Sequence, residues 1–433
     1  MTESYEDVTM KLDFFTVIKS GDFMREQRLS LSSTRFIRSY NVVSVLRTLY
    51  QEGSCSRTRL TEVTQMSPAT ITRIITELID QKMIIEERIG ESNGGRRPVI
   101  FKLNSDKLFA AGIQILRDRV ALAIYDIKGQ QVAKTVFQQY SLEPEALFSE
   151  IANELAHLLQ DSQIDREHIL GVGLAISGIV DSGNGILLRS VNLGWRDVKV
   201  AELLEKELGL QVFVENDANA AALAETWFGG AKDVRNLIYI KTATGVGAGV
   251  IYERALLTGA RWMAGEIGHI PLICEGRPCR CGQRGCLETY LYLPDVLRRY
   301  EQECGECLTK GEELFSRAAA GDPTARLLMT EAVAAITANL SFAVLLLDLE
   351  MVVIGGAWGS LAEQFTGPIN ERLRDELEKA GLTKSVTVIG SELGEDSDLL
   401  GAVGLVIDAW FTPQFTDTNR DKLLFNKKLV PVL

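Results

Sequence analysis

No stretch of this chain approaches the eighteen or more consecutive apolar residues of a membrane-spanning helix, so no membrane insertion is expected. A secretory leader is lacking as well: Met1-Thr-Glu-Ser-Tyr-Glu-Asp7 is acidic where a leader is basic and then apolar, and a cytoplasmic protein is expected. There is no even, regularly spaced set of cysteines. The seven present are an odd number, gathered mostly in one cluster, and fit a reducing compartment better than a disulfide framework. Positive charge is in deficit, with 46 Lys and Arg against 58 Asp and Glu and a net charge of −12. That balance ordinarily argues against nucleic acid, because phosphates repel an acidic surface. At 433 residues, 46% of them apolar and 24% charged, the chain is too long for one ordinary core, and two or three domains are expected.

The distribution of charge changes the argument about nucleic acid. Residues 35–103 hold 11 Lys and Arg against 7 Asp and Glu, a local +4 that leaves −16 on the rest. A basic module on an acidic body is the asymmetry of a DNA-binding head joined to a ligand-binding domain. Apolar residues at helical spacing (Ile37, Val42, Val43, Val45, Leu46, Leu49) predict a first helix ended by Gly53. Ser56 can cap a short helix through Val63. Thr64-Gln65-Met66 turn the chain, and Ser67-Pro68 supply an N-cap and an N1 proline for a helix to about Gln81. Two helices joined by a short turn predict a helix-turn-helix. The second offers Ser67, Ala69, Thr70, Thr72 and Arg73 near its start, small and hydrogen-bonding side chains able to approach a major groove. Apolar segments at 84–89 and 99–103 flank a Gly-rich turn and Arg96-Arg97-Pro98, which predicts a hairpin wing whose arginines can enter a minor groove. A helical protein-interaction module with a solvated basic loop is the blander alternative. Residues 1–34 show no comparable periodicity and are expected to be an arm, with the DNA-binding domain at 35–104 and the remaining body at 105–433.

The densest chemistry lies at His269-Ile-Pro-Leu-Ile-Cys274-Glu-Gly-Arg-Pro-Cys279-Arg-Cys281-Gly-Gln-Arg-Gly-Cys286, one of only three histidines and four of the seven cysteines within eighteen residues. A Cys-x-Cys-x4-Cys knuckle with Gly282 and Gly285 can wrap three thiolates round Zn²⁺ while His269 closes the tetrahedron. No position is left for water, so the predicted zinc is structural, and it pins Glu266 on one side and Glu288 on the other. The alternative is a set of reduced thiols or a disulfide pair; Cys274 is the spare thiol.

From Lys107 short apolar strands alternate with longer helical stretches. Strands are expected near 109–115, 120–125, 170–175, 212–215, 237–241, 248–252 and 351–354, and helices near 143–160, 217–227, 286–302 and 324–347. This is an α/β body of two lobes, with ligands expected at strand ends and in the cleft between the lobes. Asn216 and Asp217 put an amide and a carboxylate at a helix start, suited to gripping hydroxyls or taking a hydroxyl proton, although Asn or Asp there can be simply an N-cap. Thr242-Ala-Thr-Gly-Val-Gly-Ala-Gly249 can likewise be only a tight hairpin.

The order of Ser-Gly-Ile-Val-Asp181, Asn192-Leu-Gly-Trp, Glu215-Asn-Asp-Ala-Asn, Thr244-Gly-Val-Gly-Ala-Gly249, Gly265-Glu-Ile-Gly-His269, the Cys-x-Cys-Gly-x-x-Gly-Cys-Leu-Glu288 run, Ile354-Gly-Gly and Leu400-Gly-Ala-Val-Gly resembles the ROK family of sugar kinases and sugar-responsive repressors. The resemblance implies a winged helix-turn-helix followed by a two-lobed, actin-like (ribonuclease H-like) sugar-kinase fold with a structural zinc knuckle. It implies zinc ligands at His269, Cys279, Cys281 and Cys286, and sugar contacts at Asn192, Asn216, Asp217, Glu266, His269 and Glu288 with backbone at Gly178. His269 would serve both sites. Asp217 matches the kinases' catalytic base.

Kinases of this family carry Asp-x-Gly-x-Thr on the first hairpin of the body, whereas here Gln114 stands at the Asp and Leu116 at the Gly. Ala243 replaces a second-loop Gly, and Gly355 and Gly356 are expected only to turn the chain. No catalytic residue is therefore assigned. The expected protein is a repressor that binds operator DNA as a homodimer or homotetramer and is released by a sugar or sugar phosphate in the cleft. The alternatives are an ATP-dependent sugar kinase with an accessory DNA module, and a DNA-bound regulator controlled by a protein partner.

Overall fold

A computed structural model describes residues 34–88, 99–139, 141–242, 245–359, 362–381 and 386–412. The head opens with α1 (Thr34–Glu52), whose Val42, Val45, Leu46 and Leu49 face inward and which stops where Gly53 takes a positive φ of 75°. Ser56 then caps α2 (Arg57–Thr64) through the Arg59 N–H, and Ser67 caps α3 (Pro68–Asp80) through the Thr70 N–H. Each such cap contributes about 1 kcal/mol. The inner face of α3 is Ile71, Ile74, Ile75 and Leu78. A two-residue strand that was not anticipated, β1 (Cys55–Ser56), pairs with β3 (Val99–Leu103), which also pairs antiparallel with β2 (Ile84–Arg88). The tip of this hairpin, with Arg96 and Arg97, lies outside the described residues, as do residues 1–33.

The first lobe is built on a five-stranded sheet of order β11-β7-β4-β5-β6: β4 (Phe109–Ile115), β5 (Arg119–Asp126), β6 (Gln131–Gln138), β7 (Ile169–Ile176) and β11 (Val212–Asn216). Strand β6 escaped the sequence reading because its residues alternate exposed and half-buried, with none fully buried. Helices α4 (Pro144–Asp161) and α5 (Val200–Leu208) lean on this lobe, and a small sheet carries β8 (Ile179–Asp181), β9 (Ile186–Ser190) and β10 (Trp195–Val198).

The second lobe has a sheet of order β14-β13-β12-β15-β16: β12 (Leu237–Thr242), β13 (Val246–Tyr252), β14 (Ala255–Leu256), β15 (Met351–Gly356) and β16 (Thr387–Gly390). The helix expected over 286–302 is two helices, α7 (Glu288–Leu291) and α8 (Leu293–Cys304). The break falls at Tyr292, extended at ψ 104°, because a helix running straight through would need the N–H that Pro294 lacks to bond the Tyr290 carbonyl, whereas a new helix tolerates proline in its first turn. Gly311–Ala320 forms α9, Pro323–Leu347 α10 and Ala362–Lys379 α11. By length and composition α10 passes for a membrane span although it holds no eighteen consecutive apolar residues, since its Thr, Ser and Asn residues interrupt the apolar run without making it polar. Its Ala325, Leu328, Ala332, Ile336 and Leu340 are buried in the second-lobe core, so it is a core helix.

Two further helices, α6 (Asp217–Trp227) and α12 (Ser397–Trp410), tie the lobes together. A Cβ at Gly173 of β7 would come within 1.7 Å of the Ala402 carbonyl oxygen of α12, one at Gly249 of β13 within 2.5 Å of the Ala218 oxygen of α6, and one at Gly401 within 2.4 Å of Ala220. Glycine at these points lets α12 lie on the first sheet, α6 on the second, and the two helices on each other.

Candidate functional site

Strands β7 and β11 run parallel with Asn216 beside Ile176, so Ser177-Gly178 and Asn216-Asp217 leave adjacent strand ends, where open α/β sheets bind ligands. Gly178 has φ 141°, and a Cβ there would lie 2.3 Å from the Arg189 carbonyl oxygen. Asn216 Nδ2 donates to the Gly178 oxygen at 2.9 Å, while Asn216 Oδ1 accepts from the N–H groups of Ala218 (2.9 Å) and Asn219 (3.2 Å). Asn216 is thus both an N-cap and a tie across the two strand ends. Asn192 Nδ2 donates to Ser177 Oγ at 3.1 Å, which brings a third polar side chain to the same loop. Behind them Glu215 accepts from Asn216 N–H at 2.7 Å and Asn219 Nδ2 at 3.0 Å; burial pushes its carboxyl pKa up.

Asp217, at the mouth of α6, meets a group that sequence reasoning missed. Lys241 Nζ, on the central strand β12, donates to Asp217 Oδ2 at 2.9 Å and to both oxygens of Asp398 at 2.6 Å. Gln114 Nε2 from β4 donates to Asp398 Oδ2 at 2.5 Å. Burial alone would depress the Lys241 ammonium, but Asp217 and Asp398 outweigh it and hold its pKa above the ordinary lysine range. Removing one partner of such a buried group costs about 3–5 kcal/mol, against well under 1 kcal/mol for surface pairs such as Lys199–Glu202. The network joins β4 of the first lobe, β12 of the second and the starts of both linking helices. The signal for it was a lone lysine in the otherwise apolar Leu237-Ile-Tyr-Ile-Lys241.

The facing wall carries Glu266, His269 and Glu288. Burial raises the Glu266 carboxyl, the nearby His269 lowers it, and the negative charges of Asp217 and Glu288 raise it, which puts the three acids within electrostatic reach of one another. Glu288 accepts from Val246 N–H and from Arg280 Nη2, both at 3.4 Å, and the Arg280 guanidinium sits 4.7 Å over the Tyr292 ring.

Next to this wall the donor atoms of His269, Cys279, Cys281 and Cys286 all lie within 4.8 Å of one another. Cys279 Sγ is 3.7 Å from His269 Nδ1, and Cys281 Sγ is 3.7 Å from Cys286 Sγ. Tetrahedral bonds of about 2.3 Å to zinc put thiolates roughly 3.8 Å apart, so the four residues fit that ion. Gly285, at φ 73°, makes the turn possible, for a Cβ would fall 1.9 Å from the Ile273 oxygen. Cys274 is exposed and outside the quartet.

On the head, Ser67, Ala69, Thr72 and Arg73 are exposed and Thr70 half-buried, along one edge of the start of α3. Three of the hydroxyls have internal work: Ser67 Oγ lies 2.9 Å from Thr70 Oγ1, and Thr72 Oγ1 donates to the Pro68 oxygen at 2.8 Å. Arg38 Nη2 donates to Glu77 at 2.7 Å and fastens α1 to α3.

A family model described as the ROK family matches residues 110–409. The chain belongs to the ROK family. A second model, the MarR family, matches residues 39–89 of this ROK protein, the helix-turn-helix and first wing strand. Among curated relatives, a putative xylose repressor from Caldicellulosiruptor sp. is 31% identical over 255 residues, 59% of this chain and 64% of the relative, so the match spans just under two thirds of that protein. The xylose repressor of Caldicellulosiruptor bescii is 26% identical over 86% of this chain and 96% of its own length. A glucokinase from Halalkalibacterium halodurans is 31% identical over 62% of this chain and 85% of the enzyme. In fold, the ROK protein matches a ROK family transcriptional regulator, described as a homologue of the Escherichia coli MLC protein, with a TM-score of 0.78 at 24% identity over 91% of this chain and 99% of the other. It also matches a ROK family glucokinase from Streptomyces griseus in complex with glucose and AMPPNP, with a TM-score of 0.59 at 26% identity over 69% of this chain and 98% of the enzyme. The architecture is therefore a winged helix on an actin-like, two-lobed kinase fold.

Proposed function

We propose that this ROK protein is a sugar-responsive transcriptional repressor of the cytoplasm. Residues 35–104 bind operator DNA through Ser67, Ala69, Thr70, Thr72, Arg73, Arg96 and Arg97, and the body, residues 105–433, senses a sugar through Gly178, Asn192, Asn216, Asp217, Glu266, His269 and Glu288. The observation that carries the reading is helix α6. It starts at Asp217 and ends at Trp227, whose ring lies 5.4 Å from Tyr50 of α1 and stacks at 5.4 Å on Phe411, next to the end of α12. Eleven residues make a rod about 16 Å long, one end in the ligand cleft and the other on the DNA-binding head. The names of the relatives support the same reading, and the zinc at His269, Cys279, Cys281 and Cys286 serves to fix the pocket wall.

Kinase activity is disfavoured by a local observation. Phosphoryl transfer needs a cradle for nucleotide phosphates, and here Gln114 stands at the kinases' aspartate and is engaged with Asp398. The test is fluorescence anisotropy of the full chain on an operator fragment at fixed salt, titrating sugars with and without Mg-ATP. Release by one sugar without ATP consumption is expected. In Asp217→Ala, DNA affinity should stay within about threefold while the sugar midpoint rises at least about a hundredfold; a normal response in that variant excludes this pocket. ATP consumption would make the protein a kinase first, and DNA release that ignores every sugar would point to control by a partner protein.

A further inference from the structure

Two loops on opposite lobes meet beside the cleft at Trp262. In the second lobe, residues 257–265 lead from β14 to Glu266. Both ends of this loop are fixed to β13: Leu257 N–H donates to the Val250 oxygen and Ala248 N–H to the Gly265 oxygen, each at 2.8 Å. Gly265 has φ 90°, and a Cβ there would fall 1.9 Å from the Ala248 oxygen. Between these anchors the chain doubles back, with Ala264 N–H donating to the Thr258 oxygen at 3.2 Å. Trp262 takes φ 59°, a left-handed conformation that a bulky residue seldom adopts.

The indole held in this way reaches the first lobe. A Cβ at Gly183, between β8 and β9, would lie 3.3 Å from Trp262 Cη2 and 3.6 Å from Cζ2, so the outer edge of the ring rests on the bare glycine. Gly183 is not at positive φ, so its backbone does not call for glycine; the missing side chain is what makes the seat. The seat is stiff. Asp181 Oδ1 accepts from Asn184 N–H at 3.0 Å and Oδ2 from Asn184 Nδ2 at 2.9 Å, while Ala201 N–H of α5 donates to the Gly185 oxygen at 3.0 Å. Gly178 directly precedes β8, Asn192 follows β9, and the Trp262 loop runs into Glu266. The contact therefore bridges the segments that carry both walls of the cleft.

We propose that Trp262 is a latch between the lobes: its indole, seated on Gly183, holds the cleft shut, and the seat is vacated whenever a ligand enters or leaves. That a ligand enters at all rests on the sensing reading above. Helices α6 and α12 join the lobes permanently, whereas this contact is one half-buried side chain flanked by exposed Arg261 and Met263, small enough to break and remake. A latch that is made over an empty and over a filled cleft alike sets how fast ligands exchange and leaves their affinity nearly untouched.

The full chain labelled with 5-fluorotryptophan gives five fluorine-19 resonances, one per tryptophan, and Trp262→Phe assigns the one at the latch. In Gly183→Val, which fills the seat, that resonance should move toward the position of a solvent-exposed fluorotryptophan while the other four stay. A Trp262 resonance that does not move overturns the contact. Stopped-flow mixing with D-glucose, D-xylose and N-acetyl-D-glucosamine reads the exchange. For any of these that binds, Trp262→Ala should raise association and dissociation rates together by about tenfold, with Kd within about threefold of wild type. Wild-type rates in a folded Trp262→Ala protein overturn the latch, and so does a Kd weakened through dissociation alone, which would make Trp262 a ligand contact. Silence of all three sugars with the Gly183→Val shift present overturns the sugar-sensing reading and keeps the latch as the contact between the lobes; silence without the shift overturns both.

Discussion

Cys281 is exposed while Cys286 is buried, yet their sulfurs stand 3.7 Å apart, and the turn that joins them is made by Gly282 and Gly285 at φ 94° and 73°. This much was legible from the spacing of the cysteines, because a turn of this kind is a local object whose cysteines and glycines sit together in sequence. Lys241 and Asp398 were not legible, because they lie 157 residues apart and meet only when the last helix returns to the first lobe. A charge in an apolar strand announces that it has a partner, and nothing in the strand says which. The residue-scale prediction concerns the knuckle. Wild-type protein should carry about one zinc per chain by atomic emission, and Cys281→Ser well under half of that, with a melting temperature several degrees lower because the loop that holds Glu266 and Glu288 loses its cross-link. A full complement of metal in the purified variant sinks the ligand assignment.

Helix α6 was expected near 217–227 with Asn or Asp at its start open to an N-cap role, and it runs over those bounds with Asn216 as its cap. Its role could not be read, because that depends on two close approaches made by other elements. Gly249 admits it to the second sheet and Gly401 admits α12 to its flank, and both glycines are distant in sequence. Elements with one clearly apolar face or a sharp cap were legible, as in α2 and α3 of the head, whereas β6, which has no fully buried residue, and the break at Tyr292 were not. The linking helices suggest how occupancy of the cleft reaches the head, since Trp227 at the end of α6 and Phe411 just past the end of α12 meet Tyr50 of α1, at 5.4 and 5.2 Å. Trp227→Ala should therefore leave sugar affinity within about threefold of wild type while the sugar-induced loss of operator affinity shrinks by about tenfold, the range of a coupling free energy of 1–3 kcal/mol. Full release in a folded Trp227→Ala protein, measured by anisotropy beside calorimetry, would show that the signal takes another route.

Across the whole molecule, a +4 head rides on a −16 remainder, so under the repressor reading proposed above the body would repel the DNA that the head attracts, and the head side is the one that would approach the duplex. One small winged helix offers few base contacts, and the repressor proposed above would gain affinity by presenting two heads to two half-sites. The second-lobe core leaves a candidate surface for that pairing on α10: Phe342, Leu345 and Leu346 are 62%, 55% and 66% exposed on a helix whose opposite face is buried. Adjacent large apolar side chains at such exposure suit a self-complementary, two-fold contact. Phe342→Lys combined with Leu346→Lys places like charges across that axis. Light scattering behind size-exclusion chromatography should then report a mass near the 47.8 kDa of one chain where wild type gives a multiple of it. Operator affinity should fall by about a hundredfold or more, because the second head no longer benefits from the first, while affinity for the sugar stays within about twofold. A variant that keeps the wild-type mass would remove α10 from the interface; one that becomes monomeric yet binds the operator as before would mean that a single head suffices.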